Sequence, residues 1–337
     1  MGIPGSLTRT ARTFAATLHP DGYHGSYQGG RGFFEGWYVK LVSADRTHRL
    51  ALIPGIFLGG PGATAPDEAF VQVLDGSTGE SWYDAFPVTD FLADAREFNV
   101  AVGRNRFGTG GVDVDLEGPQ LAGTVRFASP LDPWPVTLAE PGVMGRYAWV
   151  PTMECYHGLV SFGHDLAGSL TLAGRELDFT GGRGYLEKDW GRAFPQAYIW
   201  MQTNHFSRPD VSLSASIARI PWGRASFPGF IVGLRIGDEL HRFATYTGAR
   251  VTSLQTADAT ITWRMKARSG VELRLRAERR RGGLLHAPIR TQMHKRVEET
   301  LDARVHVELV DASGEVVFAD TGEAAGLEVH GDVARLG

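Results

Sequence analysis

Short apolar and β-branched runs, separated by turns about every ten residues, constrain the fold of this chain more than any other feature of its sequence. The runs Phe33 to Val42 and Val211 to Ile220 have the composition of strands, and Asp75-Gly76 after Ala69 to Leu74 is a hairpin-type turn. The 43 glycines and 17 prolines supply further turns. This spacing is typical of strand meanders in barrels and sandwiches. We therefore predict an all-β protein with little helix.

Helical periodicity is weak throughout the chain. It occurs at Thr291 to Ala303, where Met293, Val297 and Leu301 stand four residues apart, the spacing of one face of a helix. This stretch is therefore the predicted exception in a chain that otherwise reads as strands and turns.

Chain length and an internal repeat both predict two domains. The 337 residues exceed what a single hydrophobic core usually holds. Gly-Gly-Arg-Gly, an aromatic residue, any residue and Glu occur at 29–35 and again at 181–187, 152 positions further on. We predict two related halves whose first strands begin alike. The predicted N-terminal domain is 1–175, with a polar lead-in at 1–28, and the C-terminal domain is 176–337, with a ligand site at or near their interface.

Composition and missing motifs exclude several classes of protein. A net charge of −4 offers no basic face for nucleic acid. The single cysteine, Cys155, rules out an intramolecular disulfide framework and a cysteine-based zinc site. No run approaches about 18 consecutive apolar residues, and Met1 to Leu18 has no apolar signal core, so we predict a cytoplasmic protein that is not secreted. Phosphate-loop, dinucleotide-binding, nucleophile-elbow and zinc-protease motifs are absent, so we predict no cofactor and no metal.

The densest group of polar and aromatic residues lies at 181–206. Alternate residues of an extended strand share a face, so the first run of this segment divides into two sets. The second run places Trp200 and Asn204 on one face. In the first run one face carries Tyr185, Glu187 and Asp189, and the other carries Leu186, Lys188 and Trp190.

A third polar strand is expected at 153–161. There Glu154 and Tyr156 share one face, and Cys155 and His157 share the other. Close carboxylates, aromatic rings and hydroxyl groups are typical of a ligand site, although ordinary strands are also rich in aromatic residues and surface ion pairs. An ion pair of Glu187 with an arginine is the structural alternative.

Several long motifs resemble the tocopherol cyclase-like family. The segments at 182–195 and 198–206 are similar to that family, 33–38 resembles its opening motif, and 151–158 resembles its central one; 285–293 and 325–329 also match. The resemblance covers residues from about 20 to the end of the chain. More distantly, the opening motif and the acidic pair before Trp190 are similar to carotenoid 1,2-hydratases (hydroxyneurosporene synthases). The resemblance implies two lipocalin-like β domains.

The resemblance also implies a reaction. In tocopherol cyclisation a phenol O–H group adds across a trisubstituted prenyl alkene to form a chromanol, and the hydratases add water across a similar alkene. The protein must then supply an acid that stays protonated near neutral pH, such as a carboxyl whose pKa is raised by burial and by a second carboxylate. Glu187 and Asp189 beside Tyr185 fit this description.

The remaining predicted site residues have supporting roles. Glu154 or His157 would act as the base toward the phenol. The aromatic faces of Trp37 or Trp200 would stabilise a developing cation. The predicted substrate-binding set consists of Tyr185, Trp190, Trp200, Asn204, Tyr156, Trp37 and Glu35.

Two other functions stay open. A lipocalin-like domain could carry a lipid or isoprenoid without catalysis, or the same scaffold could act on another polyene as a hydratase or pericyclase. In each case the expected partner is a small lipophilic molecule. Peripheral contact with a membrane is also open, through an exposed Trp134 or Trp149.

Overall fold

The structure, a computed structural model, describes residues 14–25, 32–223 and 225–336. Strands in two antiparallel sheets make up most of it, which confirms the all-β prediction. The helical segments of these ranges include residues 14–17 and the 3₁₀ helices Val88–Asp90, Gly142–Trp149, Thr245–Thr247 and Val333–Arg335. No described helix combines the length and the apolar character needed to cross a membrane.

The first sheet contains twelve strands. They are β1 (Phe33–Val42), β2 (Arg49–Leu58), β3 (Glu68–Asp75), β4 (Glu80–Phe86), β5 (Phe91–Ala93), β6 (Asn99–Val102), β7 (Asn105–Gly108), β8 (Gly111–Leu116), β9 (Leu121–Phe127), β10 (Cys155–Leu172), β11 (Arg175–Asp178) and β12 (Arg183–Gly191). Their order is β4-β3-β2-β1-β12-β10-β9-β8-β7-β6-β5, with β11 paired to β10. Among the described strands, no pairing joins the two ends of this path into a closed barrel.

The second sheet contains ten strands. They are β13 (Tyr198–Thr203), β14 (Val211–Trp222), β15 (Ala225–Ile236), β16 (Glu239–Ala244), β17 (Arg250–Thr256), β18 (Thr260–Lys266), β19 (Glu272–Glu278), β20 (Gly283–Ile289), β21 (Gln292–Val310) and β22 (Val316–His330). Their order is β16-β15-β14-β13-β22-β21-β19-β18-β17, with β20 paired to β21.

The chain divides into two compact units that nearly follow the sheets. The first comprises Met1–Leu74, Ser81–Phe194 and His286–Lys295, and the second comprises Asp75–Glu80, Pro195–Leu285 and Arg296–Gly337. The predicted boundary after residue 175 does not coincide with the division between the sheets, because β12 pairs with β1 and β10 in the first sheet.

The internal repeat lies within one sheet. Its two copies lead into β1 and β12, which pair antiparallel with each other, so the repeat does not mark the first strands of two separate halves as predicted. Residues 29–31 of the first copy fall outside the described residues. The two repeat glutamates also point to opposite faces, because Glu35 lies across from Trp190 whereas Glu187 lies across from Tyr38.

Each unit has its own hydrophobic core. In the first, alternate residues of β1 and β12 such as Trp37, Val39 and Leu186 are buried in a cluster with residues from β2, β3 and β5 to β11. In the second, the core includes Ile199 and Trp263. Burial of one face of each strand is what the alternating pattern predicts.

The prediction of helical structure at Thr291 to Ala303 is wrong, since residues 292–303 lie in β21. A spacing of four residues also places side chains on one face of a strand, because four is a multiple of the strand period of two. Val297 and Leu301 are indeed buried on one face. Pairing with β19 and β22 satisfies the backbone of the strand over long stretches.

The loop between β9 and β10 contains the two tryptophans expected at the surface. Trp134 is buried against Phe162, with ring centroids 5.8 Å apart, so its predicted exposure is wrong. Trp149 is partly exposed and stacks on Phe14 at 4.5 Å. Its indole nitrogen donates to the carbonyl oxygen of Leu138.

Candidate functional site

An acid–base cluster lies on one face of the first sheet, where β10 and β12 run side by side. The pairing sets His157 opposite Asp189 and Leu159 opposite Glu187. Residues directly opposite in an antiparallel pair share a face, so the imidazole stands beside both carboxylates. The prediction that Glu187 and Asp189 point the same way is confirmed by these contacts.

The cluster is a continuous chain of polar contacts. His157 Nδ1 lies 3.0 Å from Asp189 Oδ1, and its Nε2 lies 3.6 Å from Glu187 Oε2. The Tyr185 hydroxyl donates a short hydrogen bond to Glu187 Oε2. Tyr185 and Glu187 are buried, whereas the side chains of His157 and Asp189 are 15% and 28% exposed. The cluster is therefore closed at its Tyr185 end and open at its Asp189 end.

The proton of this cluster resides on His157 at neutral pH. Burial lowers the pKa of His157, but the charges of Glu187 and Asp189 outweigh burial and raise that pKa from 6.5 to about 9. The imidazole is thus a cation between two carboxyl groups. Cys155, on the same face, has its Sγ 4.0 Å from Asp189 Oδ1, and burial raises the pKa of this thiol well above its usual value.

The same three side chains have the spacing of a cation site. One donor atom each from His157, Glu187 and Asp189 lies within 4.8 Å of the other two. A divalent cation would have to displace the proton of His157, because only the neutral imidazole ligates a metal. Chelation therefore enters the functional test below as a separate outcome.

A second buried cluster lies on the opposite, core-facing side of β12. Lys188 Nζ lies 2.6 Å from Glu35 Oε1 and 2.8 Å from His24 Nδ1, and it donates a short hydrogen bond to the Gly22 carbonyl. Glu35 also accepts the backbone N–H groups of His24 and Gly25 at 2.9 to 3.1 Å. Lys188 and Glu35 are fully buried. This ion pair ties residues 22–25 to the sheet.

Aromatic rings surround the ammonium group of Lys188. Its Nζ lies 4.9 Å from the Trp37 ring centroid and 4.5 Å from that of Trp190. Trp190 is stacked between His24 at 4.3 Å and Tyr156 at 5.4 Å. A desolvated cation over aromatic faces gains electrostatic stabilisation, which adds to the ion pair.

The charge states of this second cluster follow from its contacts. Burial and the nearby Lys188 lower the pKa of His24, so its imidazole is neutral. Its Nε2 lies 3.0 Å from the Ala16 carbonyl, which assigns the proton to Nε2 and leaves Nδ1 to accept from Lys188. Burial lowers the pKa of Lys188, whereas the pKa of Glu35 falls because Lys188 outweighs its burial. The lowered pKa of Glu35 and its 2.6 Å contact with Lys188 Nζ are those of a buried ion pair.

The predicted site residues divide into separate groups. Tyr185, Glu187, Asp189 and His157 come together as described, whereas Trp37 and Trp190 point to the opposite face. Glu154 pairs with Arg290 at 2.7 Å. Glu35 and Tyr156 also belong to the core-facing side, and the Tyr156 hydroxyl donates to the Val150 carbonyl. Trp200 and Asn204 are buried in the second unit.

Sequence reasoning missed Lys188 and His24 as cluster members. A lysine within a predicted strand whose neighbours are buried is a detectable signal, since lysine is almost never fully buried unless it is paired. The partner of Lys188, Glu35, stands more than 150 positions away, and only the pairing of β1 with β12 brings the two together.

Comparison with known proteins gives a family and several solved structures of similar fold. The family model described as tocopherol cyclase-like matches residues 126–331. The rice protein "Probable tocopherol cyclase, chloroplastic" (Oryza sativa subsp. japonica) is 27% identical over 117 residues, which cover 34% of this chain and 25% of that protein. The chain thus spans about a quarter of the length of this curated relative.

Two solved structures share the fold across most of the chain. The protein described as "a putative AttH" from Nitrosomonas europaea superposes with a TM-score of 0.52 at 14% identity, covering 92% of this chain and 94% of that one. CghA, solved with Sch210972, superposes with a TM-score of 0.57 at 13% identity, covering 89% of both chains. At these identities the likeness is one of fold.

Proposed function

Because the chain belongs to the tocopherol cyclase-like family, we propose that it is an enzyme of the cyclase or hydratase type that protonates an alkene. One observation carries this proposal: His157 contacts both Glu187 and Asp189 at the open end of a buried cluster, where their charges raise its pKa to about 9. A positioned proton donor with a proton-accepting neighbour is what addition of an O–H group across an alkene requires.

The favoured substrate is a prenylated hydroquinone that closes to a chromanol. A proton passes from the His157–Asp189 pair to the less substituted alkene carbon, and the π electrons form the new C–H bond. The phenol oxygen attacks the tertiary carbon and forms the C–O bond, and the phenol proton returns to the cluster through Glu187. One proton leaves and one returns, so the reaction is an isomerisation that needs no net oxidant or reductant.

The strength of the acid determines how this step proceeds. An imidazolium with a pKa of about 9 stays charged at neutral pH but is a weak acid toward carbon. Attack by oxygen must therefore accompany proton transfer, so that no free tertiary cation forms. The carboxylates of Glu187 and Asp189 stabilise the positive charge that develops on the substrate. Tyr185 holds Glu187 in place through its hydroxyl group.

Incubation with a phytyl-benzoquinol in deuterated buffer tests this proposal. We expect a chromanol that carries one non-exchangeable deuterium, detected by mass spectrometry, without added cofactor. Glu187→Gln should lose product formation by about 10²-fold or more, because the returning proton has no acceptor. Glu176→Gln, on the exposed edge of β11, is the matched control and should leave the rate unchanged.

Each other outcome points to a different function. Quinol that binds tightly and is recovered unchanged would indicate a lipid carrier and not an enzyme. Loss of product formation on chelation, with recovery when a divalent metal is added, would indicate metal-assisted chemistry at the same three residues and not proton donation by His157. Neither binding nor turnover would mean that the substrate class is wrong.

We also propose that an exposed apolar patch contacts a lipid surface from which such a substrate enters. Phe14 is 52% exposed and Leu138 is 68% exposed, and both adjoin Trp149, with the cation Arg146 exposed nearby in the chain. Exposed aromatic and aliphatic side chains beside a basic residue are typical of interfacial contacts.

Vesicle sedimentation tests this patch. The double variant Phe14→Ser and Leu138→Ser should weaken binding to phosphatidylcholine–phosphatidylglycerol vesicles by about tenfold or more, since each apolar side chain contributes about 1.5 kcal/mol or more when buried. Leu92→Ser replaces a leucine that is equally exposed outside the patch, and this variant should bind as the wild type does. Equal binding by all three proteins would overturn the contact.

A further inference from the structure

An opening in the first sheet adjoins the acid–base cluster. Every residue of β1 is buried except Gly36, and Gly36 lies directly opposite Asp189, which is one of the two partly exposed residues of β12. His157 continues the same row on β10, and Gly55 continues it on β2. Solvent therefore reaches this sheet face along a row that begins at His157 and ends over Gly36.

The two glycines in this row have different roles. A Cβ on Gly55 would lie 2.4 Å from Phe70 Cζ and 2.6 Å from the Glu35 carbonyl oxygen, so the ring of Phe70 already occupies that position. A Cβ on Gly36 would meet nothing closer than 3.7 Å, and its nearest neighbours are Ile53 Cγ2 and the Pro54 carbonyl oxygen. Gly36 therefore accepts a Cβ at ordinary contact distances, and its partly exposed backbone leaves the space above it free of a side chain.

Apolar and aromatic groups line one side of this space. Phe70 Cζ would lie 3.9 Å from a Cβ on Gly36. The Phe70 ring stacks on Tyr83 at 5.3 Å, and Tyr83 lies 4.3 Å from the His286 ring. The Tyr83 hydroxyl donates to Glu68 Oε1 at 2.7 Å, so this aromatic row ends in a polar group.

We propose that the opening over Gly36 binds the apolar, alkene-bearing chain of the substrate, with the reacting double bond beside Asp189 and His157. This inference rests on the proposed function and deepens it. The absent side chain lets the chain approach the sheet, and Ile53 and Phe70 provide its apolar contacts. The Phe70 ring also presents a π system near the carbon that becomes positive, a role for which the sequence suggested tryptophans.

A series of substitutions at Gly36 tests the site by size. Gly36→Ala should fold normally, because the position accepts a Cβ at ordinary contact distances and β-strands favour larger residues over glycine. Circular dichroism and thermal unfolding check that Gly36→Leu is folded before its binding is compared. Equilibrium dialysis with the phytyl-benzoquinol should show binding weakened progressively, by about tenfold or more for Gly36→Leu, as each added group displaces the ligand. Gly108→Leu on β7, whose Cβ would meet only a backbone oxygen at 3.5 Å, is the matched control.

Separate readouts distinguish this site from the catalytic proposal. His157→Asn should retain binding and lose turnover, whereas Gly36→Leu should lose both. Wild-type binding that Gly36→Leu weakens, with no turnover in any protein, would support the site and overturn the reaction. Binding and turnover of Gly36→Leu equal to those of the wild type would overturn the site and leave the reaction standing. Absence of wild-type binding to the phytyl-benzoquinol would overturn both.

Discussion

We expect His157→Asn to lower the turnover number for the phytyl-benzoquinol by about 10²- to 10⁴-fold, the contribution of one positioned acid–base group. Asparagine keeps a polar side chain near Asp189 but holds no titratable proton. The wild-type rate should be constant at neutral pH and fall as the pH rises through about 9, where His157 loses its proton. The measurement is a pH–rate profile under single-turnover conditions, with His48→Asn as the control.

The charges that raise the pKa of His157 can be tested directly. Glu187 and Asp189 face the imidazole from β12, and Cys155 lies beside it on β10. Asp189→Asn removes one of the two negative charges, so the pKa of His157 should fall, as measured from its imidazole NMR signals across pH. An unchanged pKa, or a wild-type rate that stays constant well above pH 9, would contradict the role of His157.

The raised pKa of His157 also predicts that the stability of the protein depends on pH. The pKa of His157 rises from 6.5 to about 9 on folding, which corresponds to about 3 kcal/mol at 1.36 kcal/mol for each pKa unit. Because the folded protein binds the proton more tightly, this stabilisation is complete below the unfolded pKa and is lost as the pH rises through the folded one. The free energy of unfolding of the wild type should therefore decrease more steeply across this window than that of His157→Asn.

Replacement of Lys188 by methionine should destabilise the protein by about 3–5 kcal/mol, the cost of breaking a buried ion pair from one side. The methionine would keep much of the volume between the rings of Trp37 and Trp190. Glu35 would then be a buried carboxylate without its cation. The free energy of unfolding comes from urea denaturation followed by circular dichroism. Lys295→Met, at an exposed position of the same unit, should change it little.

A double variant separates the charge from the packing. Glu35→Gln together with Lys188→Met removes both charges, and should recover a large part of the stability that Lys188→Met loses, because no isolated charge stays buried. A double variant as unstable as the single one would show that the packing of the lysine stem, and not its charge, holds residues 22–25. A single variant within about 0.5 kcal/mol of the wild type would contradict the buried ion pair altogether.

Local sequence patterns were sufficient to predict that the protein consists mostly of strands and to assign residues to the two faces of β12. Side chains alternate along a strand with a period of two whatever the strand pairs with, so Tyr185, Glu187 and Asp189 could be separated from Lys188 and Trp190 in advance. The same period misled at β21, where residues four apart fit a strand as well as a helix.

Tertiary structure decided which strands became neighbours, and with them both clusters. Strand pairing over long sequence distances depends on the whole sheet, which local patterns do not encode. The pairing of β10 with β12 put His157 between the two carboxylates and so moved the proton from a carboxyl to an imidazole. The pairing of β1 with β12 buried Lys188 against Glu35 and placed the bare backbone of Gly36 beside Asp189. The sequence alone determined which residues share a face of each strand, and only the fold determined what lies across from them.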